Sequence, residues 1–186
     1  MRELASAQAV AELIEALASR VAERVAAEPA SAWAVVGIKR RGDLLAQRIA
    51  SRLSGDPLRG RVGSIDVTLY RDDLSEVAVQ PIVKTSDVPF AIDGLNLVLV
   101  DDVVMTGRSV RAALQSLMDF GRPRRVWLAA LVDRGGRELP IAPDFVGLDL
   151  AAEEDAGGDD RVLVHLTPLD SSDRITLEPA ANERRG

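Results

Sequence analysis

Apolar positions change their spacing several times along this chain, and the changes outline its elements. Between residues 6 and 27, Val10, Leu13, Leu17, Val21 and Val25 recur every three or four residues in an Ala-rich background. That spacing predicts one long helix, ended by Glu28, Pro29 and Ser31. The period then disappears: Ala32 to Ile38, AWAVVGI, is a continuous apolar run of the kind found in strands covered on both faces. Helical spacing returns from Asp43 to Leu53 through Leu44, Leu45, Ile49 and Leu53, completing a first strand-loop-helix unit.

After the turn SGDPLRGR, Val62 to Tyr70 is rich in β-formers, whereas Arg71 to Asp93 is polar, acidic and broken by prolines. So long a stretch without a pattern is expected to be a functional loop or an irregular hairpin. A second unit follows, with an apolar strand at 97–101 and a helix at about 108–120 carrying Val110, Ala113, Leu114, Leu117 and Met118 on one side. Gly121 and Pro123 supply its stop signal. Arg125 to Val132 is another buried strand, and residues 133–147 read as loop with a short extended piece. The segment 151–160 is an acidic, flexible insert. Val162, Val164 and Leu166 then alternate as in an antiparallel strand, with Ile175 to Leu177 as its partner, and the end ANERRG is expected to fray. No repeat and no dividing linker is present, so the reading is a single domain over 1–186. Its class is α/β, a mostly parallel central sheet flanked by helices with a small antiparallel addition.

Composition narrows this picture only in places. The 186 residues suffice for a core without staples, and the absence of cysteine excludes disulfides and thiolate metal sites. No apolar run approaches the roughly 20 residues that span a bilayer, so no membrane partner is expected and the cytoplasm is the expected location. A net charge of −6 argues against nucleic-acid binding through a global field, while leaving room for a local basic patch.

The most informative stretch is LVLVDDVVMTGRS, residues 97–109. A buried strand read as ending in Asp101-Asp102, followed by a tight turn into a helix, puts carboxylates and backbone N–H groups at the carboxyl end of a sheet. Phosphorylated ligands bind α/β proteins there. Vicinal ribose hydroxyls donate to carboxylates, which suits Asp101 and Asp102, and a phosphate dianion suits the turn Met105, Thr106, Gly107, Arg108 and Ser109. An ordinary strand, Asp turn and helix cap is the plainer alternative.

This stretch resembles the phosphoribosyl-pyrophosphate signature of the type I phosphoribosyltransferases. GIKRRGDLLAQRIA, IDVTLYRDDLSE, GRPRRVWLAALVDRGGRELPI and PDFVG resemble, in order, successive blocks of the PyrR family, the bifunctional pyrimidine operon attenuators and uracil phosphoribosyltransferases. Together they cover most of residues 35–147. The resemblance implies the type I phosphoribosyltransferase fold and the transfer of phosphoribose from PRPP to uracil, giving UMP and pyrophosphate. It further implies UMP-dependent control of pyrimidine genes by transcription attenuation, and assembly as a homodimer or larger homo-oligomer. Magnesium is implied as the cofactor, bound mainly through PRPP, with no protein ligand assigned. Among residues, it implies that Lys39, Arg40, Arg41 and Gly42 form the pyrophosphate loop and that Tyr70 to Asp73 begins a closing catalytic loop in which Arg71 meets pyrophosphate. Asp133, Arg134 and the main chain of Val146 would hold the uracil ring, with Phe145 either beside it or in the core. Met105 stands where purine-specific relatives carry an Asp, which disfavours purines.

The sequence also departs from the family. Gly136 replaces the His of an RGHRELP segment, the first helix presents Glu15 and Ser19 in place of basic RNA contacts, and GLDLAAEEDAGG replaces a GKNIPTS run. Contact with an mRNA leader is therefore doubtful, with Arg122, Arg124, Arg125 and Arg137 as the remaining basic cluster. Two alternatives stay open: a weakly catalytic or non-catalytic UMP sensor that binds RNA, and a transferase for another nucleobase. His165, on the face of its strand opposite Val162 and Val164, is expected at the surface, and Trp33 and Trp127 are expected to pack within strands.

Overall fold

The computed structural model describes residues 1–53, 57–67, 86–151 and 160–179. Its centre is a parallel sheet of β2 (Trp33–Ile38), β3 (Val62–Ile65), β4 (Asn96–Val104), β5 (Arg125–Asp133) and β6 (Phe145–Asp149), in the order β3-β2-β4-β5-β6. β1 (Arg2–Ala5), β7 (Arg161–His165) and β8 (Arg174–Glu178) make a separate antiparallel sheet in the order β1-β8-β7.

Side-chain alternation divides the core into two layers. Val35, Val98, Val100, Ala129 and Leu131 face α1 (Ala7–Ala26) and α2 (Gly42–Ala50), meeting Ile14, Leu17, Leu45 and Ile49. Ala34, Val36, Leu97, Leu99 and Ala130 face the other way, toward Val110, Ala113 and Leu117 of α3 (Arg108–Met118). Both faces are covered, which is why these strands read as unbroken apolar runs. Each fully buried Leu or Ile contributes about 2 kcal/mol. The antiparallel sheet joins the first layer through Ala5, Val162, Val164, Ile175 and Leu177.

Three differences from the sequence reading have physical causes. β1 is recognised by its partner and not by its own pattern: Arg2 and Glu3 are exposed, and the strand exists because β8 offers a backbone ladder. β4 does not end at Asp101-Asp102, because pairing with β5 continues through Val103 and Val104. The extended piece after Pro143 is a full fifth strand, β6, parallel to β5. The expected β7–β8 pairing is present, with Val162 opposite Leu177 and Val164 opposite Ile175. Tyr70 to Asp73, most of the loop that follows them and most of the acidic insert lie outside the described residues.

Candidate active site

Because β2 and β4 run parallel with Gly37 opposite Val100, the loop after β2 emerges beside Asp101 at the carboxyl rim. Lys39 donates its N–H to the Ile65 carbonyl at 2.8 Å, the Lys39–Arg40 peptide bond is cis, and Arg41 begins α2 with a φ of 75°. The fit between strand and loop leaves no room for side chains. A Cβ on Gly37 would fall inside the Gly42 carbonyl, and one on Gly42 would lie 2.5 Å from the Val100 oxygen. Two glycines thus let the loop of Lys39, Arg40 and Arg41 approach β4 closely, and the Arg41 charge is felt at Asp102.

Asp101 is 5 % exposed, and its Oδ1 accepts the Asp102 N–H at 3.0 Å. Burial pushes the Asp102 carboxyl above the usual carboxylate range, outweighing the opposing effects of hydrogen bonds from Asp101 and the Val103 N–H and of the Arg41 charge. The pair sits within β4, three residues short of the strand's end at most, and a turn follows the strand.

That turn depends on Gly107, whose φ of 89° suits a residue without Cβ and which starts α3. Asp101 and residues Val103 to Val110, including Met105, Thr106, Gly107, Arg108 and Ser109, line one cavity of about 270 Å³. The turn is held from behind by the segment after β5. Glu138 and Leu139 donate their N–H groups to the Thr106 carbonyl at 3.0 and 3.1 Å, and Arg137 donates to the Met105 carbonyl at 2.7 Å, to the Ile141 carbonyl at 2.7 Å and to Asp133 at 2.6 Å. Arg108 pairs with Glu138 at 2.6 Å, but both are half-exposed, so this bridge contributes less than about 1 kcal/mol.

Arg137 is therefore part of the scaffold. Arg137→Ala is expected to destabilise the fold by about 3 kcal/mol, since it strands Asp133 and two carbonyls. Denaturant titration checks this, and a loss below about 1 kcal/mol would contradict the clamp role.

On the side expected to hold a base, the residues are distributed unequally. Asp133 reaches the rim but is engaged by Arg137 and by the Gly135 N–H at 2.9 Å. Arg134 is buried, with Nη1 3.1 Å from the Met105 sulfur and Nη2 donating to the Asp160 carbonyl. Val146 pairs with Ala130, three positions before Asp149 at the rim, and its carbonyl accepts from Arg20 of α1 at 2.9 Å. Val146 is not among the residues that line the rim cavity. Phe145 packs in the core. Arg71 lies outside the described residues.

Two expectations about the periphery change. Arg122, Arg124 and Arg125 lie at the foot of β5 while Arg137 lies past its other end, about 26 Å away at strand rise, so the four arginines form no common patch. His165 is largely buried, enclosed by Asp170 at 3.4 Å and by Thr176 of the neighbouring strand at 3.1 Å. Trp33 and Trp127 do pack together, at 4.9 Å between rings. A larger cavity of about 730 Å³ lies at the foot of the sheet around Trp33, Arg59 and Arg61. Size does not decide the site here; the rim cavity holds Asp101 and the helix start.

Among the described residues no three His, Asp or Glu side chains converge to hold a metal ion. Two adjacent carboxylates can offer only part of a magnesium shell, so such an ion would need oxygens from its ligand. No helix among these residues is long and apolar enough to cross a membrane.

Comparison with known proteins identifies the family and the fold. Residues 1–158 match the phosphoribosyl transferase domain family. The chain is 42% identical over 175 residues to the bifunctional protein PyrR of Syntrophobacter fumaroxidans, covering 92% of each, and 47% identical over 146 residues to that of Pelotomaculum thermopropionicum, covering 77% of each. In fold it is similar to the hypoxanthine phosphoribosyltransferase of Trypanosoma cruzi, with a TM-score of 0.67, 16% identity and coverage of 97% of this chain and 98% of that one. The Staphylococcus aureus hypoxanthine enzyme gives a TM-score of 0.65 at 15% identity, covering 96% and 93%.

Proposed function

The chain belongs to the phosphoribosyl transferase domain family, among the PyrR proteins, and from that premise we propose that it transfers phosphoribose from PRPP to uracil, releasing pyrophosphate and forming UMP. One observation carries the reading: Asp101 and a glycine turn share one cavity at the sheet rim, and the adjoining Asp102 feels the charge of Arg41 in the loop after β2. Ribose hydroxyls donate to Asp101 and Asp102. The 5′-phosphate rests on the turn 105–109 and the start of α3, where the helix dipole favours an anion.

Lys39, Arg40 and Arg41 face the diphosphate, whose departure leaves a cation-like sugar beside the two carboxylates. Fixing the reactants and neutralising the leaving group in a site already built supplies the rate, with no covalent intermediate. Asp101 and Asp102 would help hold a magnesium ion that arrives with PRPP, and that ion would supply further positive charge for the leaving group. Met105 presents a thioether toward the base and cannot accept a proton, which favours a pyrimidine over a purine that needs a base at that position.

Purified protein with magnesium, PRPP and a panel of nucleobases tests the reading by pyrophosphate release. Uracil-dependent release supports it; release with a purine and none with uracil refutes it.

The relatives are named bifunctional, which favours a second role in pyrimidine-gene control. The surface gives RNA little purchase: Glu15 of α1 is exposed, Gly136 contributes no side chain, and Arg137 is committed to the turn. Binding to a pyrimidine leader RNA is expected to be weak and to fall with salt. A gel shift with sequence-specific, tight binding at physiological salt would overturn that expectation.

A further inference from the structure

The lone histidine and the loop between β7 and β8 have no part in the site so far, yet they reach it. Asp170, in that loop, takes Arg41 in a two-pronged pair, with Nε and Nη2 each 3.2 Å from a carboxylate oxygen. Behind it, His165 Nδ1 lies 3.4 Å from Oδ1, and Nε2 lies 3.1 Å from the Thr176 hydroxyl. A carboxylate only accepts, so Nδ1 carries the hydrogen and Nε2 accepts from Thr176. The Leu166 N–H donates to Oδ2 at 2.8 Å, which completes the mount. The Asp170 carboxyl is consequently fixed by two contacts, from His165 and from the Leu166 N–H, before it meets Arg41.

The pair occupies one edge of the guanidinium. Its Nη1 meets no acceptor among the described residues, and the Arg41 charge is felt at Asp102. A second tie joins the same loop to α2: Asp173 pairs with Arg48, and Arg48 donates to the Thr167 carbonyl at 2.8 Å. Asp173 therefore anchors the loop without touching Arg41.

We propose that Asp170 is a positioning residue for the diphosphate loop, holding the Arg41 guanidinium in the pose from which its open edge meets the leaving group. The proposal rests on the reading of Lys39 to Gly42 given above. It has a sign that separates it from simple proximity. An acid that merely stands near an anion site repels the anion, so its removal strengthens binding; an acid that orients the binding cation weakens binding when removed. Asp170→Asn keeps an oxygen for the Leu166 N–H and turns an amide NH₂ toward Arg41 in place of the other.

The test is calorimetric titration of inorganic pyrophosphate with magnesium, together with KM for PRPP and for uracil. With Arg41 correctly posed about a tenth of the time, D170N weakens pyrophosphate and raises the PRPP KM about tenfold, while the uracil KM is unchanged. D170E, with its carboxylate displaced, falls between, and it serves in place of D170N should the Asn variant fail to fold. D170N adds nothing on an Arg41→Ala background, and Asp173→Asn lowers Tm without altering pyrophosphate affinity. If R41A weakens pyrophosphate but D170N binds as tightly as wild type or tighter, the positioning role is wrong and the diphosphate loop stands. If D173N weakens pyrophosphate as much as D170N, the effect is general docking of the loop, and the proposal fails. If R41A itself binds normally, both readings fail.

Discussion

Asp102→Asn is expected to lower the rate of phosphoribosyl transfer by on the order of a hundredfold while leaving the protein no less stable. The rate falls because an amide cannot accept from ribose on both oxygens or face the cation-like sugar with a charge. Stability holds because burial already disfavours the charged form of Asp102, so a neutral side chain of the same shape removes a desolvation cost. The pH dependence follows from the raised value. Between the ordinary carboxylate pKa, about 3.9, and the higher folded one, the folded chain holds the proton that the unfolded chain has released. Wild-type stability therefore falls as pH rises through that window, and the loss is complete above the folded value. Asparagine has no proton to release, so the variant should gain on wild type over the window and keep that margin at higher pH. Thermal melts of both proteins from pH 3 upward, alongside pyrophosphate release, check the pair of expectations. Full activity in the purified variant would remove Asp102 from the site.

Gly37→Ala should cost both fold and function. The added Cβ would overlap the Gly42 carbonyl, and β2 cannot yield because Val35, Val36, Gly37 and Ile38 are laddered on one side and most of them on the other. The start of α2 must move instead. Overpacking of this kind costs about 2 to 3 kcal/mol, which at this chain length lowers Tm by about 6 °C. A shift of about 1 Å in the loop carrying Lys39, Arg40 and Arg41 costs on the order of a hundredfold in turnover. A variant that melts lower yet turns over normally would show that the loop's register with the acids is not needed.

Legibility in the sequence followed the distance over which each feature is determined. β2, β4, β5 and the three helices were visible because their burial is written into local periodicity, and Asp101, Asp102 and Gly107 were visible because a strand, two acids and a turn are contiguous. What escaped depends on partners remote in the chain. Arg2–Ala5 is a strand only beside β8, and His165 is enclosed only because Thr176 and Asp170 fold over it. Arg137 looks like a surface cation until the Met105 and Ile141 carbonyls are brought to it, and Val146 looks available until Arg20 crosses from α1. The Arg41–Asp170 pair, 129 positions apart, has no local signal at all.

The ladder between Arg2 and Leu177 also sets an order of events during synthesis. β1 has no hydrogen-bond partner until β8 has been made, whereas the β2-α2-β3 and β4-α3-β5 units can close from neighbours made before it. The rim formed by β2 and β4 can thus be in place before the antiparallel sheet beside Asp170 is complete. The Arg41–Asp170 pair is the seam at which the early part of the fold and the later sheet are joined.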